Sequence, residues 1–183
     1  IISILASNCT IGNGQLSSTT YGIENQTIKH NDLLIPTSTT DYYQQIALRC
    51  SSDIITINLF AVDNGTLDIP TVSELCHVTN GLFKVYQYNQ IPYQTFIIDM
   101  MNCATVATHC AIRLRHPDYV EIDKVEGHYF QRSMSNFVCP SMRQDNSLLF
   151  KLKINREIKN NIFIIQCCIA YTAINGHKRT RVM

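Results

Sequence analysis

Cys9, Cys50, Cys76, Cys103, Cys110, Cys139, Cys167 and Cys168 are scattered along a chain of 183 residues, and this even-numbered scatter constrains the fold more than any other feature. Two readings compete, a disulfide framework and a metal site. Structural zinc is held by pairs spaced Cys-x2-Cys or His-x3-His, and neither spacing occurs. The nearest approach to a metal cluster is Cys103 and Cys110 with His109 and His116 close by. Scattered cysteines in even number fit an oxidised, extracytosolic protein better. All eight are therefore expected in disulfide bridges, with no bound metal and no cofactor.

The run Ile164-Ile165-Gln166-Cys167-Cys168-Ile169-Ala170-Tyr171 sharpens this expectation. It reads as a buried strand, and strand alternation sends Cys167 and Cys168 to opposite faces. A bond between the two neighbours would be strained, so two separate bridges are expected, one from each face. A bridge closing a long loop is worth about 2–4 kcal/mol. The alternative is a pair of buried free thiols acting as small hydrophobes.

Other segments are also strand-like. Residues 54–62 place Ile55, Ile57, Leu59 and Ala61 on one face, and residues 82–88, 95–101, 106–114, 119–125 and 148–154 are apolar or alternating. Asn13-Gly14, Asn64-Gly65, Asn80-Gly81 and Asn175-Gly176 supply the positive φ values of a type I′ turn. The middle two are read as hairpin tips. Helical periodicity is weak, with short candidates at 41–48 and at 71–78, the second preceded by Pro70. The expected fold is an all-β, mostly antiparallel sandwich or barrel, stapled by disulfides, with at most one or two short helices. Residues 1–40 are expected to form an N-terminal arm and loops, 41–174 a β-rich core domain, and 175–183 a basic tail or processing site.

Several functions are disfavoured. A formal net charge of +1 does not suit nucleic acid. The longest apolar run, 162–174, is interrupted by Gln166 and Thr172 and is too short for a bilayer, so no membrane span is expected within the chain. The opening Ile1-Ile2-Ser3-Ile4-Leu5-Ala6-Ser7 reads as the tail of a signal-peptide apolar region or as the first strand of a processed chain. No Gly-x-Ser-x-Gly elbow, glycine-rich phosphate loop or His-Glu-x-x-His motif occurs. His77 beside Cys76 and His109 beside Cys110 would suit thiol catalysis only with exposed, activated thiols. No catalytic residue is expected.

Three glycosylation sequons begin at Asn8, Asn25 and Asn64. Chance alone supplies about two in a chain this rich in Asn, Ser and Thr, so position matters more than number. Asn64 at an expected turn and Asn25 in the polar arm are the better acceptors, and Asn8 precedes a cysteine. Lys178, Arg179 and Arg181 form a basic run of the kind cut by secretory convertases. Tyr86, Tyr88 and Tyr93 lie in an aromatic stretch, and tyrosine suits binding surfaces because it joins apolar area to a hydroxyl. With Phe83, Val85 and Gln87 on one strand face, Tyr86 and Tyr88 share the other, outer face.

Val138-Cys139-Pro140, the apolar strand Leu149-Phe150-Lys151-Leu152, the cysteine-bearing strand and the terminal basic run together resemble the C-terminal half of zona pellucida-type polymerisation modules. The resemblance implies a structural extracellular module that assembles with its own copies. The residues themselves lead to a different expectation: a non-enzymatic, secreted, extracellular or virion-surface glycoprotein module that works by binding. Such a module would be the receptor-binding or membrane-distal subunit of a larger glycoprotein, of viral envelope type, cleaved at the basic run. Its partners would be a protein or glycan receptor, or a downstream subunit of the same precursor, with self-association as a further mode. A secreted enzyme is the remaining alternative.

Overall fold

The computed structural model describes residues 1–16, 27–30, 33–156 and 163–183. The first half is built around β4 (Asn58–Asp63), the centre of a three-stranded sheet. β1 (Ile2–Leu5) and β5 (Phe83–Gln87) flank it, and both pair with it in parallel. Parallel neighbours need a crossover, and α2 (Ile69–Thr79) supplies it between β4 and β5. α1 (Tyr42–Ser52) precedes β4 and packs on α2, and α3 (Tyr93–Met101) follows β5.

Side chains of β4 alternate between two covered faces. Leu59 meets Val72 and Cys76 of α2, with Leu16 and Tyr43 closing the layer. Phe60 meets Tyr86, Cys103 and the α3 residues Phe96 and Met100. Residues 58–61 are therefore buried in succession, as expected for a parallel strand with helices on both sides. A buried Phe or Leu contributes about 1.5–3 kcal/mol, so this short strand anchors the half.

α2 begins and ends on specific chemistry. The Asp68 carboxylate accepts hydrogen bonds from the Thr71 amide and the Thr71 hydroxyl, and Pro70 sits in the first turn, where its missing N–H costs nothing. At the other end Asn80 adopts a left-handed conformation, φ 57°, and its amide donates back to the Cys76 carbonyl. Gly81 follows with no room for a side chain, since a Cβ there would collide with the Ile57 carbonyl oxygen.

The second half is antiparallel. β6 (Ala107–Arg115), β8 (Phe130–Ser133), β9 (Asn136–Met142), β11 (Gln166–Ala173) and β12 (Lys178–Val182) form a five-stranded sheet in the order β12-β11-β6-β9-β8. β7 (Val120–Glu126) and β10 (Leu149–Ile154) pair separately and cover one face of it. Ile112, Cys110, Phe137 and Cys139 from the larger sheet meet Ile122, Val125, Leu148 and Phe150 in the core. The Phe137 ring packs edge-on against Tyr129 and Phe150 at 5.3 and 5.2 Å between centroids. β2 (Thr27–His30) and β3 (Leu33–Pro36) form a small antiparallel pair.

Three expectations are corrected here. The fold is mixed α/β with a parallel sheet and three helices among the described residues, not all-β. Helices occupy both short candidate stretches, and a third lies in the apolar run at 95–101. There is no disulfide staple: Cys9, Cys50, Cys76, Cys103, Cys110, Cys139, Cys167 and Cys168 all carry free thiols. The buried ones fill core space as small hydrophobes, even Cys110 and Cys139, which are direct cross-strand partners. Cys167 joins the sandwich core while Cys168 is absent from it, so alternation holds without any bridge. Lastly, Asn64-Gly65 and Asn80-Gly81 are not hairpin tips. The first lies in the β4–α2 loop, where the Asp63 carboxylate accepts the amides of Gly65, Thr66 and Leu67. The second ends α2. Asn175-Gly176 is the pair that turns a hairpin, between β11 and β12.

Candidate binding site at the junction of the two halves

The two halves meet through buried polar groups. Asn80, at the end of α2, donates from Nδ2 to the Ser141 carbonyl of β9 and exchanges amide contacts with Asn146. Arg143, in the β9–β10 loop and only 7% exposed, donates to the Asn80 carbonyl at 3.1 Å. Its Nε pairs with Asp145 at 3.2 Å, and its amide donates to Asn146 Oδ1. The Thr56 and Ser141 hydroxyls lie 2.7 Å apart across the same junction. A cation at a helix C-terminus meets the negative end of the helix dipole, so Arg143 is favourably placed as well as hydrogen-bonded. Each buried group has a partner, the condition under which such a network rigidifies rather than destabilises.

Histidines add to this seam. His77, in the last turn of α2, and His128, in the β7–β8 loop, stack edge-on at 5.1 Å. Burial and the neighbouring His77 together push the His128 pKa below the ordinary imidazole range.

Beside the junction lies a groove of about 570 Å³. Its floor is apolar, from Met142, Ile169 and Tyr171, and its rim carries Arg179 and Arg181 of β12. Strand register explains the arrangement. Arg181 lies opposite Ile169 and Arg179 opposite Tyr171, and Ile169 and Tyr171 face the sandwich core. The two guanidiniums therefore stand on the inner side of an edge strand, beyond the reach of the smaller sheet. Such a surface can bind but has no nucleophile–base pair to catalyse with.

The site residues expected from sequence fall in different places. Tyr88 and Tyr93 are exposed at 67% and 74%, but Tyr86 is 7% exposed. α3 covers the face expected to be outer, and the Tyr86 hydroxyl donates to the buried Asp99 carboxylate at 2.7 Å. Burial, reinforced by that bond, pushes the Tyr86 pKa up. Lys84 completes the cluster at 3.4 Å from Asp99. Asn8 uses its side chain to bind the Thr66 carbonyl and the Asp68 amide, and Asn64 accepts from Thr66. Asn25 lies outside the described residues. Lys178, Arg179 and Arg181 belong to a paired strand.

Cys103, His109, Cys110 and His116 do not converge. Cys103 packs under Tyr86, Cys110 lies in the sandwich core and His109 is exposed. No group of three such ligands comes together among the described residues. Burial raises the Cys110 thiol to about 11 and the Cys76 and Cys139 thiols to about 12, so none of these is activated. Arg143, Asn146 and Ser141 were not singled out in the sequence, and nothing local marks them. Asn80 did carry a signal, because Asn-Gly after a helical stretch is a common left-handed helix end.

Comparison with known proteins extends this picture. The family model for the Sec23/Sec24 trunk domain matches residues 1–102, and that for the Sec23/Sec24 beta-sandwich domain matches residues 107–183. The protein transport protein SEC24 of Dictyostelium discoideum is 26% identical over 175 residues, covering 92% of this chain and 17% of the relative. The protein of the same name from Chaetomium globosum is 23% identical over 190 residues, covering 100% of this chain and 20% of the relative. The chain thus spans about a fifth of the length of these relatives. Among solved structures, the human COPII-coat protein Sec24c superposes with a TM-score of 0.81 at 18% identity, over 99% of this chain and 25% of that one. A von Willebrand factor type A protein from Catenulispora acidiphila superposes at 0.55 with 8% identity, over 99% of this chain and 39% of that one.

These matches overturn the extracellular reading. The family models and the relatives are those of transport and coat proteins, not of a secreted or virion-surface receptor-binding glycoprotein. The receptor or glycan partner, the downstream subunit released by basic cleavage and the zona pellucida-like assembly fall with it. The relatives are named as transport and coat proteins rather than as enzymes. No helix among the described residues is long and apolar enough to cross a membrane.

Proposed function

The chain belongs to the Sec23/Sec24 family, and from that premise we infer that it is the trunk and β-sandwich portion of a SEC24-type vesicle-coat subunit. It acts in protein transport by holding other proteins, not by catalysis. One observation carries the reading: the two family models match in succession, and 99% of the chain superposes as one body on a COPII-coat protein. The buried Asn80–Arg143 junction supports it, since an adaptor that grips partners on several faces needs its halves fixed relative to one another. Eight free thiols also fit the reducing cytosol, where a vesicle coat assembles. Its partners on this reading are other coat subunits and the proteins selected for transport.

The test is made on the full-length protein, tagged at its own locus. Immunoprecipitation should recover a second coat subunit, and microscopy should place the tag in puncta at sites of exit from the endoplasmic reticulum. A diffuse signal with no coat subunit in the precipitate would overturn the reading.

A further inference from the structure

We propose that Asn13 is a site of spontaneous deamidation, and that its conversion to isoaspartate loosens the loop that carries Leu16 into the core. The inference stands without the coat reading. In an Asn-Gly pair the side-chain amide is open to attack by the next backbone nitrogen, because glycine has no Cβ to block the approach. Four such pairs occur, at Asn13, Asn64, Asn80 and Asn175. The dipeptide is the same in each, so the fold decides between them.

The attacking nitrogen must give up its proton, and a hydrogen bond from that N–H holds it back. The Gly65 amide donates to the Asp63 carboxylate at 2.8 Å, the Gly81 amide to the Cys76 carbonyl at 2.9 Å and the Gly176 amide to the Ala173 carbonyl at 2.8 Å. The asparagine side chains of these three pairs are engaged too. Asn64 accepts the Thr66 hydroxyl, Asn175 accepts the His177 amide, and the buried Asn80 is bonded to Ser141 and Asn146. The first pair differs. The Gly14 amide and the Asn13 side chain make no hydrogen bond among the described residues, and Asn13 is exposed. Both sit in a turn closed by the Gln15 amide on the Gly12 carbonyl. This turn needs its glycine, since a Cβ on Gly14 would come within 2.9 Å of the Tyr42 ring.

The reaction consumes only water. The Gly14 nitrogen bonds to Asn13 Cγ, the Cγ–Nδ2 bond breaks, and the side-chain nitrogen leaves as ammonia with the proton that Gly14 gave up. Water then opens the cyclic imide at one of its two carbonyls. Opening at Cγ restores the ordinary backbone with an aspartate. Opening at the main-chain carbonyl gives isoaspartate, whose backbone runs through the former side chain and is longer by one carbon. That carbon displaces Gly14 from the contacts that fix the loop. The Tyr43 hydroxyl donates to the Gly14 carbonyl at 2.7 Å, and the Leu16 amide donates to the Cys9 carbonyl at 2.7 Å. Leu16 in turn is buried with Leu59, Val72 and Cys76.

The experiment ages the full-length protein at neutral and at mildly alkaline pH, with a parallel sample in urea, and follows the four Asn-Gly peptides by mass spectrometry. Isoaspartate is identified with isoaspartyl methyltransferase and labelled S-adenosylmethionine. In the native samples Asn13 should convert about tenfold faster than Asn64, Asn80 or Asn175, the factor that one retained hydrogen bond provides, and faster at the higher pH. In urea the four rates should converge. After ageing, the Leu16 amide should exchange with deuterium faster than in fresh protein, and Asn13→Ser aged alongside should show no such change.

An Asn13 that keeps its amide, or another of the four leading in the native samples, would overturn the proposal. So would an unchanged ranking in urea, which would trace the preference to flanking sequence and not to the fold. Unaltered exchange at Leu16 after conversion, or an equal rise in Asn13→Ser, would overturn the loosening.

Discussion

Asn80 and Gly81 show how two residues can serve several parts of a structure. Asn80 turns the chain out of α2, accepts Arg143 on its carbonyl and reaches Ser141 and Asn146 with its side chain. Gly81 is required because the chain passes directly against the Ile57 carbonyl. Gly81→Ala should therefore destabilise the protein by about 2–4 kcal/mol, read as a lower urea midpoint with an unchanged slope. The cysteines make a second test at this scale. With a thiol reagent under native conditions, the exposed Cys9 should react quickly. Cys76, Cys103, Cys110 and Cys139 should stay silent until denaturant is added. Because burial raises the Cys110 and Cys139 thiols from 9.0 to about 11 and 12, their protonated form is favoured in the folded state. The stability this provides is full below about pH 9 and is lost as pH rises toward those values.

Among the elements, α2 was the more legible in sequence. Its stretch was named at 71–78 behind Pro70, although the Asn80-Gly81 pair that ends it was read as a hairpin tip. Asp68 also accepts the Thr39 hydroxyl, so it ties the preceding loop to the helix start. Asp68→Ala should cost about 1–2 kcal/mol in thermal or urea denaturation, and Asp68→Asn should recover part of that. β4 was misread in part. Its alternation was seen, with Ile55, Ile57, Leu59 and Ala61 on one face, but the cover over the other face, where Phe60 lies, was not. The uninterrupted run Leu59-Phe60-Ala61-Val62 carried the better signal, since a strand covered on both sides has no polar face to show. Tyr86 was placed outside for the same reason, although α3 lies over it. α3 itself has no N-cap hydrogen bond and no acidic residue in its first turn, which left its apolar run indistinguishable from a buried strand.

At the scale of the whole molecule, the junction decides how the two halves behave. Arg143 is nearly buried and bonded to both. Arg143→Ala leaves the Asn80 carbonyl without its donor and should cost about 1–3 kcal/mol. In calorimetry the parent should melt in one transition, and the variant should separate into two as the halves uncouple. The candidate site was scarcely legible at this scale. Arg179 and Arg181 were noticed as a basic run, but reading them as a processing signal missed that they stand in a paired strand. Arg143, Asn146 and Ser141 carry no local pattern, because their roles come from contacts with Asn80 some 60 positions away.

The amino-acid order alone determined some local features: that a helix lies near 71–78 behind Pro70, that Cys167 and Cys168 sit on opposite faces of one strand, and that the sandwich half is made of alternating strands. These depend on residues within a few positions of each other, through capping, backbone freedom and side-chain alternation. Only the tertiary structure decided that the first half is a parallel sheet between helices, that the eight thiols stay free, and that an arginine pair borders an apolar groove beside the junction. Each of those depends on which surfaces are brought together across long stretches of chain. A cysteine has the same local sequence whether it meets a second sulfur or a phenylalanine ring, so packing and the surrounding compartment, not spacing, settle its fate.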